Sequence, residues 1–243
     1  MLRSLFERMR GIGAYVKQIL QAWQYDADTV YPMLSADTGR YLIDEFSGDA
    51  GQHTDIIRGF TGYGLMQYAI VRNARPRRIL CIGSRRGFIP AILALAVRDN
   101  GHGHVDFVDP GYSMSSHPGI SWGGVGFWKQ HNPADHFSKL GIQSYITTYP
   151  VTSAQYAKHS GKSTYDYVYI DGDHSYEGVK HDFRTFWPKL SRGGFFVFHD
   201  ISAKGKLEGG TFGVRKLWKE LNLPGKIQFP WPSESGLGII QKG

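Results

Sequence analysis

Four side chains within one stretch of this chain have the chemistry of a site: Asp171, His174, His199 and Asp200. They lie in YDYVYIDGDHSYEGVKHDFRTFWPKLSRGGFFVFHD, from Tyr165 to Asp200. Carboxylates and imidazoles are the groups that hold cations and pass protons near neutral pH. The pattern around them says where they stand. Tyr167, Val168, Tyr169 and Ile170 form a short, mostly apolar run, as in a strand buried on both faces. Tyr176, Val179, Phe183, Phe186 and Leu190 recur at steps of three and four, which predicts a helix with one apolar face. Gly193 and Gly194 break the chain before a second run, Phe195 to Phe198. Two parallel strands and a crossover helix need about this length. Asp171, Asp173 and His174 then end the first strand, and His199 and Asp200 end the second. Ligands of open α/β sheets bind beyond those ends. Two acidic strand ends side by side predict a chemical site.

A second candidate lies upstream. RRILCIGSRRGFIPAILALA reads as strand, glycine turn and helix. Gly83 lets the chain turn sharply, and Gly87 lets backbone approach a ligand at the helix N-terminus. Pro90 is tolerated in a first helical turn. The next strand ends at Asp109, whose carboxylate can accept both ribose hydroxyls of an adenosine ligand. A plainer role, a strand-end acid capping a turn, stays open on the residues alone.

The elements that must position these groups alternate. From Arg77 onward the strand candidates are Arg78–Ile82, Val105–Asp109, Gln143–Thr148, Tyr165–Asp171, Gly194–His199, Lys226–Phe229 and Leu237–Gln241. Helices fit between most of them, at Phe88–Arg98, Ser153–His159, Tyr176–Pro188 and Val214–Leu221. Repeated β-α units imply a mainly parallel sheet covered on both faces. The link PWPSESG has no room for a crossover helix, so the last two strands should pair antiparallel. Pro110 to Pro133 is a long loop rich in Gly, Ser and aromatics, expected to be a lid or substrate wall. Residues 1–75 are expected to form a helical N-terminal extension or cap, and residues 76–243 the α/β domain. Leu2, Leu5, Phe6, Met9, Ile12, Val16, Ile19, Leu20 and Trp23 make a helix-period stripe. Such a helix packs on its own domain or a partner subunit, or lies on a membrane surface. A further helix, Gly64 to Asn73, should stop before Arg75-Pro76.

Bulk composition narrows the classes. One cysteine excludes a disulfide framework within the chain, and a reduced cytoplasm is the simplest compartment. No apolar run approaches the ~20 residues of a membrane span. The N-terminus lacks the apolar core of a secretory signal. The formal net charge of +7 favours anionic partners. The basic residues are spread out, however, which reads as a solvated basic surface.

With these motifs in view, the chain resembles the class I S-adenosylmethionine (SAM) methyltransferases. In particular it resembles the branch with an IDGDHSYEGV-type motif, here Ile170 to Val179, followed by a GGFFVFHD-type strand. The likeness runs from about Pro76 to Lys242. It implies a Rossmann-like, doubly wound α/β fold with a seven-stranded sheet whose last strand is antiparallel. It implies SAM held by Gly83, Ser84, Gly87, Asp109, Ser153 and Asp171, with the ribose on Asp109. The acidic strand ends are similar to those of catechol O-methyltransferase and the metal-dependent sugar O-methyltransferases. That similarity implies a divalent metal, Mg²⁺ or Mn²⁺, on Asp171, His199 and Asp200, and His174 as general base beside Asp171. The activity implied is O-methylation of a hydroxyl on a small molecule or sugar, in a homo-oligomer, with no nucleic-acid partner. Two departures stand out. Cys81 replaces an acid common in the family, and a thiol is a weak acceptor. His199 replaces a carboxylate, and imidazole prefers softer ions than Mg²⁺. Alternatives are a cephalosporin-hydroxylase-like metal oxygenase on the same architecture, a nucleic-acid methyltransferase, and a non-catalytic scaffold.

Overall fold

Alternation of apolar strands with amphipathic helices produces one seven-stranded sheet. The computed structural model describes residues 34–47, 52, 54–57, 59–111, 126–207, 210–230 and 235–243. The predicted N-terminal stripe, from Leu2 to Trp23, and most of the predicted lid lie outside the described residues. Two helices lead in, α1 (Ala36–Phe46) and α2 (Tyr63–Ala74). Then follow β1 (Arg78–Ile82), α3 (Phe88–Asn100), β2 (His104–Val108), α4 (Phe127–Gln130), α5 (Pro133–Ser138), β3 (Ile146–Tyr149) and α6 (Ser153–His159). The second half comprises β4 (Tyr165–Ile170), α7 (Tyr176–Phe186), β5 (Leu190–His199), a ribbon of β6 (Lys206–Leu207) and β7 (Gly210–Thr211), α8 (Val214–Glu220), β8 (Lys226–Phe229) and β9 (Leu237–Gln241). The strand order is β3-β2-β1-β4-β5-β9-β8. The first five strands run parallel, while β9 is antiparallel to both β5 and β8. This is the doubly wound sheet that the sequence pattern predicts.

Order reverses at β1, which has β2 on one side and β4 on the other. Such a switch point opens a crevice at the carboxyl ends of β1 and β4. The strands bordering it are apolar on both faces, and Ile79, Leu80, Val168 and Tyr169 are fully buried. Helices α2 and α3 pack on one another, as do α7 and α8. The segment before the sheet is tied to it by buried polar contacts. Tyr167 donates its hydroxyl hydrogen to Gln67 Oε1, and Asn100 Nδ2 donates to the Val71 carbonyl at 2.9 Å.

Local differences from the predicted elements have physical causes. The glycine pair Gly193-Gly194 does not end a turn but makes an irregularity inside β5. Tyr165 pairs with Leu190 and Tyr167 with Phe195, so extra residues bulge on one strand. Gly193 sits at φ 78, which a side chain would oppose. The start of the third predicted strand, Gln143 to Tyr145, is instead a turn closed by Tyr145 N–H to the Ile142 carbonyl at 2.9 Å. The end of the predicted loop is helical. Phe127–Gln130 forms one turn, and Asn132 caps α5 by accepting from Ala134 N–H at 2.9 Å.

Candidate active site

The sheet register builds the site. Cys81 pairs with Phe107 on one side and Tyr169 on the other, and Tyr169 pairs with Val197. Residues two apart on a strand share a face. One step further along, Asp109, Gly83, Asp171 and His199 therefore form a row across four strand ends. Backbone bonds carry the row past the strands: Gly83 N–H reaches Val108 O at 2.9 Å and Asp171 N–H reaches Ile82 O at 2.8 Å. At Gly83, with φ 72, a Cβ would run into the Asp171 carbonyl, so only glycine fits there.

At the acidic end, four groups meet. His174 Nε2 lies 3.0 Å from Asp171 Oδ1 and 3.5 Å from Asp200 Oδ2. His199 Nδ1 lies 3.1 Å from Asp171 Oδ1 and 3.3 Å from Asp200 Oδ1. His199 is only 4% exposed and meets the Tyr63 ring edge-on at 6.2 Å. Burial alone would raise the Asp171 pKa, but His199 and His174 outweigh it and hold the carboxyl below the ordinary range. The histidines respond in kind. Burial would lower both, yet the carboxylates raise His174, and raise His199 well above the ordinary imidazole value. Asp200 adopts φ 64, a left-handed backbone that costs a non-glycine residue roughly 1–2 kcal/mol. Strain of this kind collects at functional sites.

The motif Ile170 to Val179 is explained residue by residue around this cluster. A Cβ on Gly172 would press on Ile82 Cγ2 at 3.1 Å. Asp173 Oδ1 accepts from Ser175 N–H at 2.8 Å, and Ser175 Oγ caps α7 by accepting from Gly178 N–H at 3.1 Å. Asp173 lies over Gly178 so closely that a Cβ there would collide with it. Asp171 takes no part in the cap, which leaves it to the cluster. The Phe212 ring stacks on His174 with centroids 5.5 Å apart, and Gly213 N–H bonds the His174 carbonyl at 2.8 Å.

The glycine turn lies alongside. Asp109 Oδ2 accepts from Ser84 N–H at 3.2 Å and Oδ1 from Gly111 N–H at 2.8 Å. It thereby joins the ends of β1 and β2. Burial pushes its carboxyl up to about 6, against the pull of those two amides. Ser84 Oγ accepts from Ile89 N–H at 3.4 Å. Gly87 stands at φ 89 as the N-cap residue of α3 and has no side chain with which to cap it, so Ser84 Oγ takes one of the helix's first amides from outside. A helix N-terminus facing a crevice is suited to a carboxylate or other anion. Ser153 begins α6 and donates its hydroxyl hydrogen to Asp182, beneath Gly172 rather than on the turn. Cys81 is fully buried with its thiol pKa pushed well up, first by burial and then by Asp171 and Asp109. It packs as a small hydrophobe and does not line the crevice.

Both implied groups fit what is present. Among the described residues, Asp171, His174 and Asp200 each offer one ligand atom, all within 4.8 Å of one another. Two carboxylates and one imidazole are a donor set for Mn²⁺ or similar divalent ions. The sequence pattern nominates His199 as third ligand; the geometry also brings His174 to that place. For SAM, the α3 N-terminus and the Asp109 carboxylate stand on the same crevice, joined through Ser84. Sequence reasoning missed Tyr63, Phe212 and Trp128, which reach the region from distant segments, and Asp182 on α7.

Comparison with known proteins decides the family. A methyltransferase-domain family matches residues 80–201, half of the chain, from β1 through the acidic end of β5. The chain belongs to that methyltransferase family. A relative, the uncharacterized protein y4gI of Sinorhizobium fredii (strain NBRC 101917 / NGR234), is 29% identical over 172 residues. That match covers 70% of this chain but 18% of the relative, so the chain spans under a fifth of the curated protein it matches. Solved structures share the fold at low identity. The O-methyltransferase TomG from Streptomyces achromogenes, involved in tomaymycin synthesis and solved with SAM, is 15% identical with a TM-score of 0.56, over 88% of this chain and 92% of its own. The O-methyltransferase from Bacillus cereus, solved with SAH, is 13% identical with a TM-score of 0.55, over 90% and 96%. The SAH-bound methyltransferase PaMTH1 of Podospora anserina is 16% identical with a TM-score of 0.55, over 98% and 96%. No helix among the described residues is long and apolar enough to cross a membrane.

Proposed function

We propose that this methyltransferase uses SAM to methylate a hydroxyl of a small molecule or sugar, with a divalent cation at the acidic strand ends. The observation that carries the reading is the meeting of Asp171, His174 and Asp200 one strand away from the Gly83–Gly87 turn. Bound SAM supplies a methyl group on a positively charged sulfur. The chain must supply a place for the acceptor hydroxyl and a destination for its proton. His174 in its neutral form is that destination, and the two carboxylates beside the ring stabilise the imidazolium that forms. Asp171 and Asp200, with His199 Nδ1 3.1 and 3.3 Å from their oxygens, would hold the cation, which lowers the pKa of a hydroxyl it binds. Two aromatic rings pack on the cluster, Tyr63 against His199 and Phe212 against His174.

The test is methyl transfer from isotopically labelled SAM to a panel of catechols, phenols and sugars. Label on an acceptor oxygen is the expected result; label confined to nitrogen or carbon acceptors overturns the reading. EDTA treatment is expected to abolish turnover, and Mn²⁺ or Mg²⁺ to restore it. Full turnover in protein shown metal-free by elemental analysis would remove the cation from the proposal. SAM affinity should depend on Asp109. Asp109→Ala removes a charged acceptor and is expected to weaken binding by ~1.5–3 kcal/mol. Because its carboxyl titrates near 6, affinity in the parent should also fall as the pH drops through about 6. Calorimetry giving an unchanged, pH-independent affinity would take the ribose off Asp109.

A further inference from the structure

One buried donor beside the glycine turn has no acceptor among the described residues. Trp128 is 8% exposed, and its indole Nε1 is buried without a hydrogen-bond partner. Its ring is held by other rings: Phe107 edge-on at 5.4 Å, Phe137 stacked at 5.6 Å and His136 edge-on at 5.5 Å. These ring contacts hold the indole in place and give its N–H no hydrogen-bond acceptor. Buried Trp N–H groups ordinarily find a partner, because leaving one unmade forfeits its hydration for nothing.

The position of the ring says where the partner comes from. A Cβ on Gly87 would meet Trp128 Cζ2 at 3.0 Å and Cη2 at 3.1 Å. A Cβ on Gly111 would meet Trp128 Cβ at 3.1 Å. The indole therefore reaches from the turn after β2 to the turn before α3. Both glycines have positive φ, 89 and 65, so both turns close against the ring. Asp109, two residues before Gly111, accepts from the Ser84 and Gly111 amides and not from the indole. These two turns are the ones that the SAM reading uses.

We infer that Trp128 is a cofactor-binding residue, whose indole N–H donates a hydrogen bond to an oxygen of bound SAM. The inference rests on the SAM reading and adds a residue from outside the glycine turn. Two oxygens share the required chemistry, a ribose hydroxyl and the amino-acid carboxylate. An acceptor there satisfies the orphan donor only when the ligand is in place.

The test uses ¹H–¹⁵N spectra of the full chain, with the Trp128 indole resonance identified as the one missing from Trp128→Phe. On saturation with S-adenosylhomocysteine, that resonance in the parent protein is expected to move downfield and to exchange more slowly with water. The same change with 5′-methylthioadenosine, which lacks the carboxylate, places the oxygen on the ribose; a change with S-adenosylhomocysteine alone places it on the carboxylate. Trp128→Phe is expected to weaken S-adenosylhomocysteine binding about tenfold, the worth of one hydrogen bond. An indole signal that stays put while other resonances report saturation overturns the inference. A spectrum in which nothing moves defeats the SAM reading instead, so the two failures are distinct.

Discussion

His174→Ala is expected to slow methyl transfer by ~10²–10⁴-fold, the usual worth of a positioned base. That range corresponds to roughly 3–5 kcal/mol of barrier. The ring is held from three sides. Asp171 Oδ1 and Asp200 Oδ2 face Nε2, and Phe212 stacks on its face. Its carbonyl is bound separately by Gly213 N–H, so the backbone keeps its path when the side chain is cut. The glycine turn does not touch His174 in any of these contacts, and SAM affinity should therefore hold. Loss of turnover with unchanged SAM affinity by calorimetry is the expected pair of results. His174→Gln running at the parental rate would show that another group receives the proton. If excess Mn²⁺ restores the alanine variant, the ring's contribution is ligation through Nε2.

How far the site could be read beforehand depended on which residues share a strand. Asp109, Gly83, Asp171 and His199 were legible because strand ends follow from apolar runs, and register then aligns them. The β1, β8, β9 and α6 boundaries agree with the sequence pattern. For α6 the reason is visible in the letters. Thr152 and Gln155 form a reciprocal capping box, whose signature is local. Trp128 and Phe212 were illegible for the opposite reason. Each arrives from a segment whose own pattern is weak, and only tertiary packing places it against Gly87 or His174. The predicted lid gave no hint that its last residues would form a helical turn. The pair His174 and His199 is subtler still. Both histidines end up within hydrogen-bond reach of Asp171, and spacing alone cannot rank them. Asp182 left a fainter trace. It lies three residues after Val179 and four before Phe186, on the apolar stripe of α7, where a carboxylate is out of place.

Replacing that carboxylate with its neutral amide is expected to stabilise the fold at and above neutral pH. Asp182 is 3% exposed, and its Oδ1 has no hydrogen-bond partner among the described residues. Burial pushes its carboxyl up to about 7 from the ordinary 3.8, with repulsion from Asp173 adding to the rise and the Ser153 hydrogen bond opposing it. The sign follows from linkage. Below about pH 4 the folded and unfolded chains both carry the proton, and Asp182 is neutral in the balance. Between about 4 and 7 the unfolded chain gives up its proton while the folded chain keeps it. Stability from this group therefore falls as pH rises, and levels off above 7. A difference of about three pH units between folded and unfolded titration corresponds to about 4 kcal/mol at the plateau. Asn has the shape of the protonated acid and cannot ionise, so Asp182→Asn removes that loss. Ser153 can still donate to the amide oxygen, though the new amide N–H groups need acceptors and will return part of the gain. Thermal melts from pH 4 to 9 should show the variant close to the parent at pH 4 and increasingly more stable up to pH 7. Asp109 and the histidine cluster titrate in both proteins, so their contributions cancel in the difference. Parallel curves across the whole range would mean that Asp182 is ionised in the folded chain and that burial is not what governs it.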